Sequence, residues 1–383
     1  MLNCQKHLFS LAPGVRYLNG AYMSPLLNTS VDAGIEGLRR KSCPNRIAAE
    51  DFFTDVEILR GLFAQLINAP KADEVALVPS VSYGIAALAK NLKAEKGQKI
   101  VMVEAQFPSN VYSWQAVANE KGLDIQSVGM PVTQKDRGRE WNERLLAAID
   151  DRTALVTVPH AHWANGTLFD LKAISRKAHR HGAVVVVDGT QSVGAYPMDV
   201  QALGIDALVC AAYKWLLGPY QSGYAWFSPA FIDGAPLEEN WISRQHSEDF
   251  ARLVDYEPNY QPGARRFDAG ERSNFISVPM CIAALRQILA WDVGAIQEYC
   301  RALIADSTSK WAENGYWTET PDARTAHLFG IQLPERVNAG QLQQKLKEQG
   351  IFVSVRGSFI RVSTYLYNDQ HDVDSLTGVL AGV

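Results

Sequence analysis

The sequence of 383 residues has no long apolar run, few cysteines and no excess of positive charge, and each absence argues against a class of protein. Its strongly apolar segments, such as 183–187, are far too short to cross a bilayer. Residues 1–10 lack the apolar core of a secretory signal, so we expect a cytoplasmic protein. A formal net charge of −4 gives no general attraction to nucleic acid or to an anionic membrane surface.

Sequence motifs for metal, disulfide and nucleotide binding are also missing. The five cysteines are scattered without CxxC pairs, which argues against a structural zinc site and a disulfide framework. The chain has no GxGxxG fingerprint and no Walker lysine, which disfavours binding of a dinucleotide or a nucleoside triphosphate. The composition, with 47% hydrophobic and 20% charged residues, is that of an ordinary globular protein. At this length two domains are the natural expectation.

The central part of the chain alternates short apolar runs with amphipathic helical patterns. Leu171, Ile174 and Ala178 fall on one face of such a helix, and Gly182 is placed to end it. Near-continuous apolar strands are typical of a mostly parallel sheet covered by helices on both faces. The predicted strands are 74–78, 99–104, 154–158, 183–187, 207–210 and 223–227.

The C-terminal part predicts a second and smaller unit of α+β type. Residues 237–263 lose the alternation and predict an irregular surface excursion, after which 277–290 reads as a long helix. The elements predicted beyond it are strands at 327–333, 352–355 and 360–364 and helices at 339–349 and 372–380. We therefore predict an α/β fold with a large domain (15–275) and a small domain built from 1–14 and 276–383.

An acid and a lysine form the most informative pair in the chain. Asp188 ends the apolar run 183–187, and Lys214 lies between apolar and aromatic neighbours. Separately, Asp188 could cap a turn or bind a ribose, and Lys214 could be a surface lysine. Together, a buried acid that keeps a ring nitrogen protonated and a desolvated amine that can form an imine are what pyridoxal 5'-phosphate (PLP) chemistry requires.

Other candidate side chains follow other predicted strands, where an open α/β sheet binds its ligands. Ser80 or Ser82 would cap the next helix and leave N–H groups free for an anion, although capping alone also explains them. Phe107 could stack on a planar cofactor or lie in the core. His160 and His162 could suggest a metal, but no third ligand with suitable spacing is apparent, and we expect no metal site.

On these residues the chain resembles the fold-type I PLP enzymes of the class V aminotransferase group. That group includes cysteine desulfurases, selenocysteine lyases, kynureninases and isopenicillin N epimerase-like proteins. The similarity extends from 17–22 to 361–368, and the block of Asp188, Gln191 and Lys214 is its most specific part. The resemblance implies PLP as cofactor and a large domain with a mostly parallel, seven-stranded sheet between helices. Lys214 would be the Schiff-base lysine, and Asp188 would bind the pyridinium nitrogen.

The resemblance implies further roles around the cofactor and the substrate. Arg361 would receive the α-carboxylate, a bidentate task that lysine performs poorly, and Asn19 and Tyr22 would also bind substrate. The segment 266–274 resembles the stretch that crosses to the other subunit's phosphate, so a homodimer with the active site at the subunit interface is expected. The residues expected to bind the cofactor are Ser80, Val81, Ser82, Phe107, Trp163, Asp188, Gln191, Tyr213, Lys214, Ser273 and Asn274.

Departures from the group bear on the reaction type. Desulfurases carry their persulfide-forming cysteine shortly before the carboxylate-binding arginine, but the interval 356–361 is short and contains no cysteine. Persulfide transfer is therefore not expected. Trp163 stands where desulfurases have asparagine, and Ala211 stands in place of the usual phosphate-binding serine. Phe107 and Tyr213 instead resemble their counterparts in kynureninases.

We therefore predict a PLP-dependent enzyme acting on the α-carbon of a small amino acid, by transamination or by β-elimination of the C–S lyase type. The amine of Lys214 would remove the α-proton. Kynureninase-like hydrolysis or epimerisation is an alternative, although Gln191 stands where kynureninases have histidine. A non-catalytic binding protein is disfavoured because Lys214, Asp188 and Arg361 are all present. A nicotinamide-dependent dehydrogenase is disfavoured because the glycine fingerprint is missing. No nucleic-acid or membrane partner is expected.

Overall fold

A computed structural model describes residues 2–383, in which a large sheet lies between helices and a smaller sheet unit packs beside it. The helices are α1 (Asn28–Lys41), α2 (Thr54–Leu66), α3 (Val81–Lys90), α4 (Tyr112–Lys121), α5 (Arg137–Ala147), α6 (Leu171–Arg180), α7 (Val200–Leu203), α8 (Ser277–Trp291), α9 (Val293–Glu313), α10 (Ala339–Glu348) and α11 (Gln370–Ala381). The strands are β1 (Arg16–Tyr17), β2 (Val75–Val78), β3 (Lys99–Val103), β4 (Asp124–Val128), β5 (Thr153–Pro159), β6 (Val184–Asp188), β7 (Ala207–Ala211), β8 (Gly223–Phe227), β9 (Trp317–Thr318), β10 (Leu328–Gln332), β11 (Ile351–Phe352), β12 (Ser354–Arg356) and β13 (Phe359–Ser363).

The large sheet has seven strands in the order β2-β8-β7-β6-β5-β3-β4. Neighbouring strands from β7 to β4 are parallel, and β8 runs antiparallel to both β7 and β2. The central strands are buried because helices cover both faces, which explains their near-continuous apolar sequences. The predicted α/β fold with a mostly parallel, seven-stranded sheet is confirmed.

The edge strand β4 was not predicted from the sequence. It pairs in parallel with β3, and four of its five residues are exposed to solvent. Its sequence Asp-Ile-Gln-Ser-Val has no apolar run, because an edge strand in this position does not need one. The strand therefore lacks the signal that identified its buried neighbours.

Helix α6 illustrates where local sequence signals were sufficient. The Asp170 side chain accepts a hydrogen bond from the Ala173 backbone N–H at 2.9 Å and caps the helix. Leu171, Ile174 and Ala178 face the core, as their spacing predicts. Gly182 follows with φ +73°, the left-handed conformation that glycine adopts without strain.

Helices α1 and α8 approach closely on one side of the large sheet. Small residues of α1 face α8, and a β-carbon at Gly37 would overlap the Phe275 carbonyl oxygen. Only glycine fits this position, so the contact requires it. This contact with α1 fixes the position of α8, which follows the irregular excursion in the chain.

The smaller unit has a four-stranded antiparallel sheet in the order β12-β13-β10-β9. The N-terminal segment joins it, because β1 pairs in parallel with β11 and Lys6 forms ion pairs with Asp369 and Asp372 at 2.9 and 3.3 Å. This arrangement is in keeping with a small domain built from both ends of the chain. The predicted boundaries at residues 15 and 275 stay predictions.

No single helix within residues 2–383 is both long enough and apolar enough to span a membrane. Helices α8 and α9 satisfy length and composition criteria only as a pair, and that pair is bent by 71°. The predicted cytoplasmic location stays a prediction.

A buried cluster of charges fixes β2 at the edge of the sheet. Asp268 is fully buried and accepts hydrogen bonds from Arg60 Nη2 at 2.8 Å and from Arg272 Nη1 at 2.7 Å. Its other oxygen accepts from the backbone N–H of Leu77 in β2 at 2.7 Å. Since a buried carboxylate between two guanidinium groups needs every one of these bonds, Asp268 holds β2 firmly in place.

Replacing Asp268 with asparagine keeps the shape but leaves the buried Arg272 without an ion-pair partner and Arg60 with Glu57 alone. We expect the free energy of unfolding to fall by about 3–5 kcal/mol, measured by urea denaturation followed by circular dichroism. The control is Glu143→Gln, which breaks the exposed Arg139–Glu143 ion pair and is expected to leave stability nearly unchanged. Equal stability of D268N and E143Q would contradict this role of the cluster.

Candidate active site

A cavity of about 630 Å³ opens at the edge of the large sheet where the parallel strands end. Residues that follow β2, β3, β5, β6 and β7 line it, as expected for ligand sites in open α/β sheets. The structure brings together nine of the predicted site residues in its wall: Ser80, Val81, Ser82, Phe107, Trp163, Asp188, Gln191, Tyr213 and Lys214.

Asp188 lies at the end of β6 in the floor of the cavity and is only 6% exposed. Its Oδ1 accepts a hydrogen bond from the Thr190 backbone N–H at 3.0 Å. Burial raises the pKa of the carboxyl group, whereas the Thr190 hydrogen bonds and the charge of Lys214 act in the opposite direction. A cationic nitrogen placed against Asp188 would favour the charged carboxylate, so the position suits a protonated ring nitrogen.

Lys214 follows β7 and is 5% exposed. Its Nζ lies 5.4 Å from the centre of the Phe107 ring and 5.5 Å from that of the Tyr213 ring. Burial lowers the pKa of the amine to about 7; the charges of Arg361 and Arg356 also lower it, and Asp188 partly opposes them. A large share of Lys214 is therefore the uncharged, nucleophilic amine at neutral pH.

Another part of the cavity wall is built by the start of α3. The Ser80 hydroxyl accepts from the Tyr83 backbone N–H at 3.2 Å and lies 3.0 Å from the Ser82 hydroxyl. The first N–H groups of a helix have no partner within the helix and favour an anion. With Val81 between the two serines, this part of the cavity suits a phosphate group.

Gln191 is held in a fixed orientation beside Asp188. Its amide oxygen accepts from Trp215 Nε1 at 2.9 Å, and its amide nitrogen donates to the Ala21 carbonyl oxygen at 3.1 Å. The second N–H of the same amide is not used by these contacts and can donate within the cavity. Trp215 is a supporting residue that the sequence analysis did not identify.

Arg361 on β13 is 2% exposed; it contacts Trp163 of the cavity wall but is not itself part of that wall. Its Nη1 donates to the Trp163 carbonyl oxygen at 2.9 Å, and Nε and Nη2 are buried without a partner. Within residues 2–383, no carboxylate lies at ion-pair distance from it. Burial and, to a smaller extent, the charge of Arg356 together lower the pKa of Arg361 to about 9. A buried cation with free donors is suited to bind a carboxylate.

The two other predicted substrate residues lie outside the cavity wall. The Asn19 side chain accepts a hydrogen bond from the Ser354 hydroxyl at 2.8 Å, which ties it to β12. Tyr22 is 57% exposed. Their role toward a substrate stays a prediction.

Ser273 and Asn274 do not line this cavity in the same chain. The Ser273 hydroxyl donates to the Phe52 carbonyl oxygen. The Asn274 side chain accepts from the backbone N–H of Ser277 at 2.9 Å at the start of α8. Asn274 also lines an adjoining cleft of about 300 Å³, which shares Gln221 and Ser222 with the main cavity.

His160 and His162 lie next to the site but do not form part of its wall. Burial lowers the pKa of both imidazoles to about 4. His160 packs edge-on against Tyr196, and His162 Nε2 lies 3.2 Å from the Ala105 carbonyl oxygen. No group of three or more His, Cys, Asp or Glu side chains suited to a metal ion occurs in the part of the chain that the structure describes.

Three lining residues precede a strand and were not predicted from the sequence. Tyr220, Gln221 and Ser222 come just before β8 and line the cavity. Because β8 is antiparallel to β7, its beginning lies at the same edge where the parallel strands end. A search restricted to residues that follow strands could not find them.

A family model and a similar protein both relate this chain to aminotransferases. A model of the family described as Aminotransferase class-V matches residues 46–376. An uncharacterized aminotransferase, YcbU of Bacillus subtilis (strain 168), is 30% identical over 83% of this chain and 80% of its own length.

Solved structures share the fold over nearly the whole chain. The apo cysteine desulfurase from Thermococcus onnurineus NA1 has a TM-score of 0.85 at 20% identity and covers 100% of this chain and 98% of its own. The cystine C-S lyase C-DES in complex with its product cysteine persulfide has a TM-score of 0.82 at 18% identity, over 96% of this chain and 98% of its own. At these identities the likeness shows the fold.

The lowered pKa of Lys214 predicts unusual reactivity in the cofactor-free protein. Because only the uncharged amine reacts, acylation of Lys214 should rise with pH through a midpoint at about 7. Exposed lysines ordinarily titrate at about 10.4. Competitive labelling with acetic anhydride, quantified by peptide mass spectrometry, measures the midpoint, with the exposed Lys172 as internal reference.

Two variants check the cause of this shift. Arg356→Gln and Arg361→Gln each remove a cation that lowers the pKa of Lys214, so the labelling midpoint should move to higher pH in both. A midpoint near that of an exposed lysine in the unmodified protein would contradict the assignment.

Proposed function

Because the chain belongs to the class V aminotransferase family, we propose that it acts at the α-carbon of a small amino acid through Lys214. The observation that carries the proposal is the meeting of three groups at one cavity. Asp188 and Lys214 lie in its wall, and the partly unpartnered Arg361 donates a hydrogen bond to Trp163 of the same wall. These are an acid, an amine that is half uncharged near pH 7, and a carboxylate receptor.

The cofactor is pyridoxal 5'-phosphate, and the residues of the cavity fit it. Asp188 would face its ring nitrogen, Lys214 would attach it, and Phe107 would cover its ring. Ser80 and Ser82 at the start of α3 would hold its phosphate. When bound, the cofactor supplies an electron-withdrawing ring that stabilises negative charge at the substrate's α-carbon.

The protein's own groups would bind the substrate and move its proton. The free donors of Arg361 would bind the α-carboxylate in a bidentate manner. The uncharged amine of Lys214 would accept the α-proton as general base. Phe107 and Tyr213, whose ring centres lie 5.4 and 5.5 Å from the amine, would limit access of water to it.

Transamination and β-elimination of the C–S lyase type are the two outcomes that we propose for this proton abstraction. The relative from Bacillus subtilis is named an aminotransferase. A solved protein of the same fold is named a cystine C-S lyase. Both outcomes begin with the same step at Lys214, and they differ in the fate of the substrate.

We also propose that no protein persulfide forms, although a cysteine desulfurase shares the fold. None of the five cysteines lines the main cavity. Three are buried, and burial raises the pKa of their thiols, so they are poor nucleophiles. The β12–β13 hairpin, which includes Arg361, contains no cysteine.

The functional unit that we propose is a homodimer with the active site at the subunit interface. Helix α1 buries its small residues against α8 and exposes Val31, Ile35 and Leu38 on the adjoining face, at 41%, 42% and 55%. Such an apolar stripe is typical of a protein interface. Asn274 lines a cleft that adjoins the cavity, which is compatible with a contribution from a second copy.

The reaction is tested with purified holoenzyme and a panel of amino acids, without any keto acid. A transaminase releases about one keto acid per active site and then stops until a keto acid is added. A β-lyase continues, and pyruvate accumulates together with the expelled group. In either case Lys214→Ala should lose the visible absorption of the lysine-linked cofactor and about 10²–10⁴-fold of the rate.

The matched control is Lys172→Ala, which removes an exposed lysine of α6 and should leave absorption and rate unchanged. Full turnover by the Lys214→Ala variant would overturn the assignment. Sulfur carried on a cysteine of this chain, detected as a mass increase of the intact protein, would contradict the proposed absence of a persulfide.

The dimer is tested by placing charge on the exposed face of α1. The double variant Ile35→Glu and Leu38→Glu should dissociate the dimer, because carboxylates would be buried at an apolar contact. Sedimentation velocity measures the state, and activity should fall with dissociation. Val132→Glu, at a residue 95% exposed, is the control. An unmodified protein that is monomeric at micromolar concentration would contradict the proposal.

A further inference from the structure

A second arginine without a countercharge lies beside the site. Arg356 ends β12, and its guanidinium carbon lies 5.3 Å from the centre of the Trp163 ring, which lines the cavity. Its Nη1 donates to the Val355 carbonyl oxygen at 2.7 Å, but its Nε is buried without a partner. Among the ion pairs formed within residues 2–383, none includes Arg356.

The hairpin places Arg356 and Arg361 on the same face. Arg356 is paired with Phe359 across the antiparallel ladder, and Arg361 lies two residues beyond Phe359. Paired residues share a face, and residues two apart on one strand return to it. Diagonal neighbours of this kind have β-carbons about 7–8 Å apart. Two long guanidinium side chains at this spacing can converge on one small ligand.

The two arginines differ in depth. Arg361 is 2% exposed, whereas Arg356 is partly exposed near the tip of the hairpin. The positive charge of Arg356 lowers the pKa of both Arg361 and Lys214, which reflects unfavourable repulsion among the three. Among the described residues that line the cavity, Asp188 is the one carboxylate. A substrate's α-carboxylate can balance the positive charge of Arg361, but the positive charge of Arg356 then has no counterpart.

A structural role for Arg356 would rest on its packing against Trp163. A cation over an aromatic ring is only weakly stabilised where water still reaches it. That contact does not use the buried Nε, and it does not remove the repulsion from Arg361. An anionic ligand would accept a hydrogen bond from the free Nε of Arg356, and its negative charge would offset the repulsion between the two arginines.

We propose that Arg356 binds a carboxylate on the substrate's side chain, so that the enzyme selects dicarboxylic amino acids over neutral ones. The inference rests on the proposed function of the site, in which Arg361 takes the α-carboxylate. Arg356 then holds the distal carboxylate nearer to the opening of the cavity. The hairpin β12–β13 thereby fixes both ends of the substrate.

The test uses unreactive acids and measures binding without turnover. Malonate, succinate and glutarate are titrated into the holoenzyme, with butyrate as the monocarboxylate, and the change in absorption of the bound cofactor is followed. One of the dicarboxylates should bind more tightly than butyrate. Arg356→Gln should weaken dicarboxylate binding by about 10- to 100-fold, as expected for a lost charge-assisted contact, and leave butyrate nearly unchanged.

Two further variants separate recognition from structure. Arg356→Lys keeps the charge but loses bidentate geometry, and it should retain part of the preference. Arg139→Gln, which removes an exposed arginine of α5, should change neither affinity. With reactive substrates, Arg356→Gln should lower kcat/KM for aspartate relative to asparagine, chiefly through KM.

The outcomes distinguish this inference from the function on which it rests. A holoenzyme that binds the cofactor and turns over amino acids, but prefers no dicarboxylate to butyrate, overturns only the role of Arg356. Equal loss of affinity for both kinds of acid in Arg356→Gln also overturns it, since that result indicates support of Trp163 alone. Failure of the protein to bind PLP overturns both proposals.

Discussion

The active site depends on keeping one amine uncharged among charges that are themselves buried. Lys214 loses most of its hydration at the end of β7, and two nearby arginines disfavour its protonation further. Asp188 opposes this effect but does not cancel it, because burial also destabilises the charged carboxylate. The site therefore holds more potential positive charge than negative charge. Such an arrangement is costly for the protein alone and favourable for a ligand that carries phosphate and carboxylate groups.

The sheet makes this electrostatic arrangement possible because it brings distant segments of the chain to one edge. The ends of β6 and β7 supply Asp188 and Lys214, and the end of β2 supplies the serines at the start of α3. The strands are packed on both faces, and β2 is also fixed by the hydrogen bond from Leu77 to Asp268. The buried ion cluster around Asp268 thus stabilises the part of the cavity formed by the start of α3 without lining the cavity.

The sequence predicted the parts of this arrangement whose local pattern matches their environment. Buried strands have continuous apolar runs, and Asp188 and Lys214 stand directly after two of them. The edge strand β4 has four exposed residues and gave no such signal. Tyr220, Gln221 and Ser222 were missed because their position depends on the antiparallel direction of β8, which sequence alone did not reveal. Arg356 was noted only as the start of a short interval, since its relation to Arg361 depends on the register of the hairpin.

The β12–β13 hairpin links the type of reaction to the choice of substrate. Its turn is so short that Arg356 and Phe359 are directly paired, which leaves no loop that could carry a cysteine to the cavity. The same tight pairing places Arg356 on the face of Arg361, where a longer loop would free it to point elsewhere. The short turn between β12 and β13 and the position of Arg356 on the face of Arg361 are therefore two consequences of one register. Under the proposed function, such a hairpin would hold both ends of the substrate and would present no cysteine to it.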